Sequence, residues 1–132
     1  MILDTDILSD LSSPRRSPHV QRGVRAVQGP LFTTTINWAE ICYGAARHPA
    51  GAELRQRYER FVLPQVEMLE FDLPSAEVYG RLRADLEAAG QPLAESDLMI
   101  ASIALRHDLP LVTGNERHFA RIPTLKLVNW RE

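Results

Sequence analysis

Met1-Ile-Leu-Asp-Thr-Asp6 opens the chain with a short apolar strand that runs straight into two acids. A carboxylate beside a buried apolar run is costly unless something cationic holds it. Core and chemistry therefore meet at Asp4 and Asp6. Working outward, the same juxtaposition recurs. Thr35-Ile-Asn-Trp-Ala-Glu-Ile-Cys-Tyr43 is a helical pattern that is apolar almost everywhere except at Glu40. Glu95-Ser-Asp-Leu-Met-Ile-Ala-Ser-Ile-Ala104 starts the most hydrophobic helix, with Asp97 in its first turn. If these acids meet in space, they form an all-oxygen pocket, which suits Mg²⁺ or Mn²⁺ and not zinc.

Short apolar runs alternate with longer helical patterns along the rest of the chain. Strands are expected at 2–3, 31–33, 66–71, 109–113 and 125–128. Helices are expected at 7–11, from Pro18 to about Gln28, and from a Thr34 or Thr35 cap to about Arg47. Three more should run from after the turn His48-Pro-Ala-Gly51 to about Val62, from Pro74 to near Gly90, and over 96–106. This order predicts an α/β fold with a central parallel sheet of about five short strands, flanked by helices on both faces. In such sheets the chemistry gathers at the carboxyl ends of the strands. Asp4 and Asp6 follow the first strand directly, and Asn115 and Glu116 follow the fourth.

Composition narrows the class. The 132 residues make one domain, 45% hydrophobic and 24% charged. No run approaches the ~18 apolar residues of a membrane helix, and Asp4 and Asp6 interrupt any leader-like segment. Cys42 is the only cysteine, so there is no disulfide framework. A cytoplasmic protein with no membrane association is expected. The net charge of −2 excludes a strongly basic nucleic-acid binder but not a local basic surface. Arginine supplies fourteen of the fifteen basic residues, a bias that fits phosphate contacts or high-GC coding alike.

Each acid also has a structural reading. Asp4 at a strand end can cap the helix from Ile7, although Asp6 is better placed for that role. Glu40 has only a thin exposed stripe around it, with Ile36, Asn37, Tyr43 and Gly44 as its helical neighbours. Asp97 suits the positive end of its helix dipole, yet it leads the stripe of Ile100, Ala101 and Ala104. His19, His48, His107 and His118 lie in loops or near helix ends, not at ligand spacing, which argues against a zinc site or a histidine triad. No glycine-rich phosphate loop is present. An apolar surface around Trp38, Tyr43 and Tyr58 is expected to be large for a lone monomer.

Taken together, four blocks resemble PIN-domain ribonucleases, and specifically the toxins of VapBC-type toxin–antitoxin systems. They are Leu3-Asp-Thr-Asp-Ile-Leu-Ser9, Thr33-Thr-Thr-Ile-Asn-Trp-Ala-Glu-Ile-Cys-Tyr-Gly44, Glu95-Ser-Asp-Leu-Met-Ile-Ala-Ser-Ile-Ala-Leu105 and Leu111-Val-Thr-Gly-Asn-Glu-Arg-His-Phe119, followed by Leu125-Lys-Leu-Val-Asn-Trp130. The resemblance covers residues 1–130 in the right order. Two positions depart from it. Asp6 stands where these toxins often have asparagine, and Asn115, with Glu116 adjacent, stands where many PIN domains have an acid.

The resemblance implies a single PIN domain over 1–132 with Mg²⁺-dependent (or Mn²⁺-dependent) endoribonuclease activity. It implies that Asp4, Glu40 and Asp97 hold the metal and carry catalysis, with Asn115 or Glu116 at the fourth position. Thr5, Asp6 and Thr113 stand behind them as supporting groups. The partners it implies are RNA and a cognate antitoxin, in a homodimer or a toxin–antitoxin hetero-oligomer. Arg15, Arg16, Arg22 and Arg25 are either an RNA grip or a solvated face.

Three rival readings stay open at this point. A haloacid-dehalogenase-like phosphatase shares the Asp4-Thr-Asp6 opening. A phospho-receiver domain would use Asp72 and Lys126. A degenerate PIN domain would act as a binding module only.

Overall fold

The computed structural model describes residues 1–131. Its strands are β1 (Ile2–Leu3), β2 (Leu31–Thr34), β3 (Val66–Leu69), β4 (Leu111–Val112) and β5 (Leu127–Val128). Its helices are α1 (Thr5–Ser12), α2 (Pro18–Ala26), α3 (Thr35–Arg47), α4 (Gly51–Phe61), α5 (Leu73–Ala88), α6 (Glu95–His107) and α7 (Glu116–Phe119). The strands form one sheet in the order β3-β2-β1-β4-β5, and every neighbouring pair is parallel. The chain therefore steps outward from β1 to β3 on one side, then returns to place β4 and β5 on the other.

Two residues are enough for β1 because each serves a different face. Ile2 joins the core formed with α5 and α6, alongside Leu98, Ile103 and Phe119. Leu3 joins the core formed with α1, α2 and α4, alongside Ile7, Val20 and Val62. The registers Ile2↔Leu111 and Leu3↔Val112 repeat that alternation in β4. This is the period-two geometry of a strand buried on both sides.

The helix ends follow local chemistry. Thr34 caps α3 by accepting from the Asn37 N–H at 3.1 Å. Asp72 caps α5, accepting from the Ser75 N–H and hydroxyl, with Pro74 in the first turn. Gly90 follows α5 at φ 68°, and Asp108 ends α6 at φ 52°, a left-handed position that aspartate tolerates.

Several sequence expectations need correcting. The third, fourth and fifth strands are shorter than expected. Leu109 spends its N–H on Ala104 at the end of α6, and Leu125 spends its own on Ile122 in a turn. The short helix α7 was not expected at all. The aromatic surface is mostly internal: Tyr58 is 9% exposed and meets Trp38 edge-to-face at 6.3 Å. Of the three aromatics only Tyr43 stands out, 62% exposed with the Arg47 guanidinium over its ring. No helix among the described residues is long and apolar enough to cross a membrane.

Candidate active site

The strand order reverses between β1 and β4, and the acids converge there, at the carboxyl ends. Asp4 leaves β1 and is itself the cap of α1, not Asp6 as expected. It is 8% exposed and fully hydrogen-bonded. Its Oδ1 accepts from the Thr5 N–H and the Asn37 side-chain amide, both at 2.9 Å, and its Oδ2 from the Thr113 hydroxyl at 2.7 Å. Thr113, which follows β4, also accepts from the Asn115 N–H at 2.9 Å. One carboxylate thus ties the ends of both central strands together.

Glu40 is held in place from the same network. The Asn37 amide donates to the Thr5 hydroxyl at 2.9 Å, which in turn donates to Glu40 Oε1 at 3.3 Å. Asn37 is oriented by the Thr34 hydroxyl, which donates to its Oδ1 at 2.7 Å. Asp97, in the first turn of α6, faces the His118 ring at 3.5 Å. The Asn115 side chain lies 2.9 Å from the same ring nitrogen. Asp6 accepts from the Gly114 N–H at 2.8 Å and pairs with Arg131 at 3.5 Å.

Asp4, Thr5, Asp6, Glu40, Asp97 and Asn115 all line one open pocket of about 670 Å³. Thr113 stands behind it, wholly buried. Glu116 opens α7 and does not line the pocket. Arg15, Arg16, Arg22 and Arg25 are not in its wall either; Arg16 lies over the Phe61 ring and Arg22 against His19. Sequence reasoning missed two contributors. Asn37 carried a signal, a polar residue three positions before Glu40 in an apolar helix. His118 carried none, because its approach to Asp97 depends on how α7 packs against α6.

Electrostatics single out the three central acids. Burial raises the pKa of Asp4, Glu40 and Asp97, and it is the leading cause in each. The Asp6 charge adds to the shift of Asp4, and the charges of Asp4 and Asp97 add to that of Glu40. His118 pulls Asp97 the other way. Among the described residues no lysine or arginine pairs with any of the three.

A raised pKa means the folded state binds protons more readily than the unfolded one. The stability from these acids is therefore present at low pH and lost as pH rises through the raised values. In EDTA, lowering the pH toward the ordinary carboxylate range should raise the melting temperature of the wild-type chain relative to that of Asp4→Asn. Parallel melting curves against pH would show that Asp4 does not titrate in this way.

The rival readings lose their geometry. Asp72 caps α5, and its pKa is lowered chiefly by the Ser75 hydrogen bonds, with Arg106 3.3 Å away. Lys126 pairs instead with Asp108, at 3.7 Å. Neither a receiver site nor a phosphatase lysine is assembled.

The fold and this pocket define a class. The chain belongs to the PIN domain family, whose sequence profile matches residues 1–125. Within it, the chain is of the VapC type. It is 35% identical to "Ribonuclease VapC2" of Rickettsia felis over 80% of this chain and 78% of that one. It is 29% identical to "tRNA(fMet)-specific endonuclease VapC" of Shigella flexneri over 98% and 96% of the two chains. The solved VapBC2 structure from Rickettsia felis, bound to a DNA fragment of its promoter, superimposes with a TM-score of 0.90 at 27% identity, covering 98% of this chain and 97% of that chain.

Proposed function

We infer that this chain is a Mg²⁺- or Mn²⁺-dependent endoribonuclease, the toxin of a toxin–antitoxin pair, comprising one PIN domain over 1–132 and acting in the cytoplasm. It hydrolyses RNA phosphodiester bonds and is neutralised by a cognate antitoxin. The observation carrying this reading is the set of three carboxylates from separate elements that face one pocket with no lysine or arginine paired to them among the described residues. The nuclease names of its relatives support it.

The donor chemistry fits a hard divalent cation: carboxylate oxygens, with the Asn115 amide beside them. Among the described residues, no three acidic, histidine or cysteine side chains already close on one point. Glu40 and Asp97 open onto the pocket and have room to swing inward, whereas Asp4 is held by three hydrogen bonds. When bound, the ion would offset phosphate charge and acidify water. The chain's own groups do the positioning. Thr113 and Asn37 set the orientation of Asp4, Thr5 steadies Glu40, and His118 and Asn115 border Asp97.

The test has two arms. The purified chain should cleave RNA with Mg²⁺ or Mn²⁺ and stop in EDTA; cleavage that persists in excess EDTA refutes the metal mechanism. Coexpression with the upstream neighbouring gene should yield a stoichiometric, inactive complex, in which an arginine from the antitoxin meets the carboxylates. Recovery of free, active chain from that coexpression counts against the antitoxin.

Asn115 offers a graded check. An amide adds no charge, so Asn115→Asp is expected to lower the Mg²⁺ concentration for half-maximal cleavage. Glu116→Gln, lying outside the pocket wall, should leave it unchanged. A Mg²⁺ titration of the three proteins side by side decides both.

A further inference from the structure

We propose that the apolar half of this pocket seats the nucleobase next to the cleaved phosphodiester, with Gly44 keeping the seat open and His48 supplying a donor at its rim. This rests on the nuclease reading and assigns residues to substrate selection within it.

From the carboxylates, the pocket continues along α3 and α4 to Ile41, Gly44, Leu54, Tyr58 and His48. Glu40 and Gly44 share a helix face four residues apart, a displacement of about 6 Å along the axis. A phosphate held through a divalent ion beside Glu40 would therefore bring an adjoining base against Gly44. Proteins that read single-stranded RNA take splayed bases against apolar or aromatic walls and meet their edges with hydrogen bonds.

Gly44 has no role inside the chain that calls for glycine. It sits in the interior of α3, where glycine is less favourable than alanine. Its φ is not positive, and a Cβ built there meets no atom within 4 Å. The space beside it is open, and at Gly44 that space belongs to the pocket. Gly80 in α5 has the same freedom but lies outside this pocket, which makes it an internal control.

His48 has its tautomer set by the backbone. The Ala50 N–H donates to His48 Nδ1 at 2.9 Å. Nδ1 is therefore the acceptor, and Nε2 carries a proton to offer to a base oxygen or ring nitrogen.

The experiment compares Gly44→Leu, Gly80→Leu and His48→Ala with wild type. A fluorescein-labelled single-stranded oligoribonucleotide of randomised sequence reports binding by anisotropy in EDTA. Sequencing of the products made with Mg²⁺ reports the base preference. Gly44→Leu should weaken binding and raise KM at least tenfold, with the Mg²⁺ requirement unchanged. Gly80→Leu should match wild type, and His48→Ala should relax the preference for the adjoining base. Wild-type binding and preference in both Gly44→Leu and His48→Ala overturn the proposal. So does a Gly44→Leu chain that cleaves normally but loses only its coexpressed antitoxin, since the groove then belongs to the partner. If no protein cleaves and Gly44→Leu alone loses RNA, the groove binds RNA but the nuclease reading falls, and with it the placing of the seat beside a cleaved bond.

Discussion

Asp97→Asn is expected to reduce RNA cleavage by at least about 100-fold while the chain stays folded. Loss of an outer hydrogen-bonding partner at a metal site typically costs 10–100-fold, and loss of a proposed anionic ligand should cost no less. The substitution keeps size and shape, so the α6 packing around Leu98 and Ile100 is undisturbed. Its effect on stability should run opposite to its effect on activity. Burial raises the pKa of Asp97, so its charge is unfavourable in the folded apo chain. The neutral amide should leave the melting temperature in EDTA unchanged or higher, and should reduce the further stabilisation from added Mg²⁺. Cleavage near the wild-type rate in the purified variant would remove Asp97 from the site.

Asn37→Leu is expected to have the second-largest effect, and a double one. The Asn37 side chain is wholly buried, accepts from Thr34, and donates to both Asp4 and Thr5. A leucine of similar size cannot do any of this. The buried Thr34 hydroxyl loses its acceptor, and Asp4 Oδ1 keeps only the Thr5 N–H. Leaving the buried Thr34 hydroxyl proton without an acceptor costs about 1–3 kcal/mol. With Asp4 and Thr5 no longer held, the Mg²⁺ requirement should rise and cleavage fall roughly 10–100-fold. Thermal melting measures the first effect, and a Mg²⁺ titration of cleavage measures the second. A chain that melts lower but keeps its Mg²⁺ requirement would make Asn37 a core residue only.

The architecture was legible because its signals are local. The apolar runs at Ile2-Leu3 and Leu111-Val112, the Thr34 cap and Pro74 in the first turn of α5 each act over a few residues. The alternation of strand and helix then leaves little but a parallel sheet. The convergence of Asp4, Glu40 and Asp97 on one pocket was legible for a related reason: an acid beside or within an apolar stretch conflicts with burial wherever it sits.

Strand and helix ends were less legible, because competing turns decide them. Leu109 and Leu125 look like strand residues but give their N–H groups to Ala104 and Ile122. The capping role of Asp4 over Asp6 was likewise a matter of backbone direction at the end of β1.

By itself, the sequence determined which residue types lie at the strand ends, the parallel α/β layering and the presence of three acids set against apolar segments. The tertiary structure decided which groups touch. Asn37 reaches Asp4 across 33 positions and Thr113 reaches it across 109. His118 meets Asp97 only through the packing of α7 against α6. These contacts require chain closure over long separations. Periodicity and capping report only neighbours a few residues apart, so they carry no trace of such contacts.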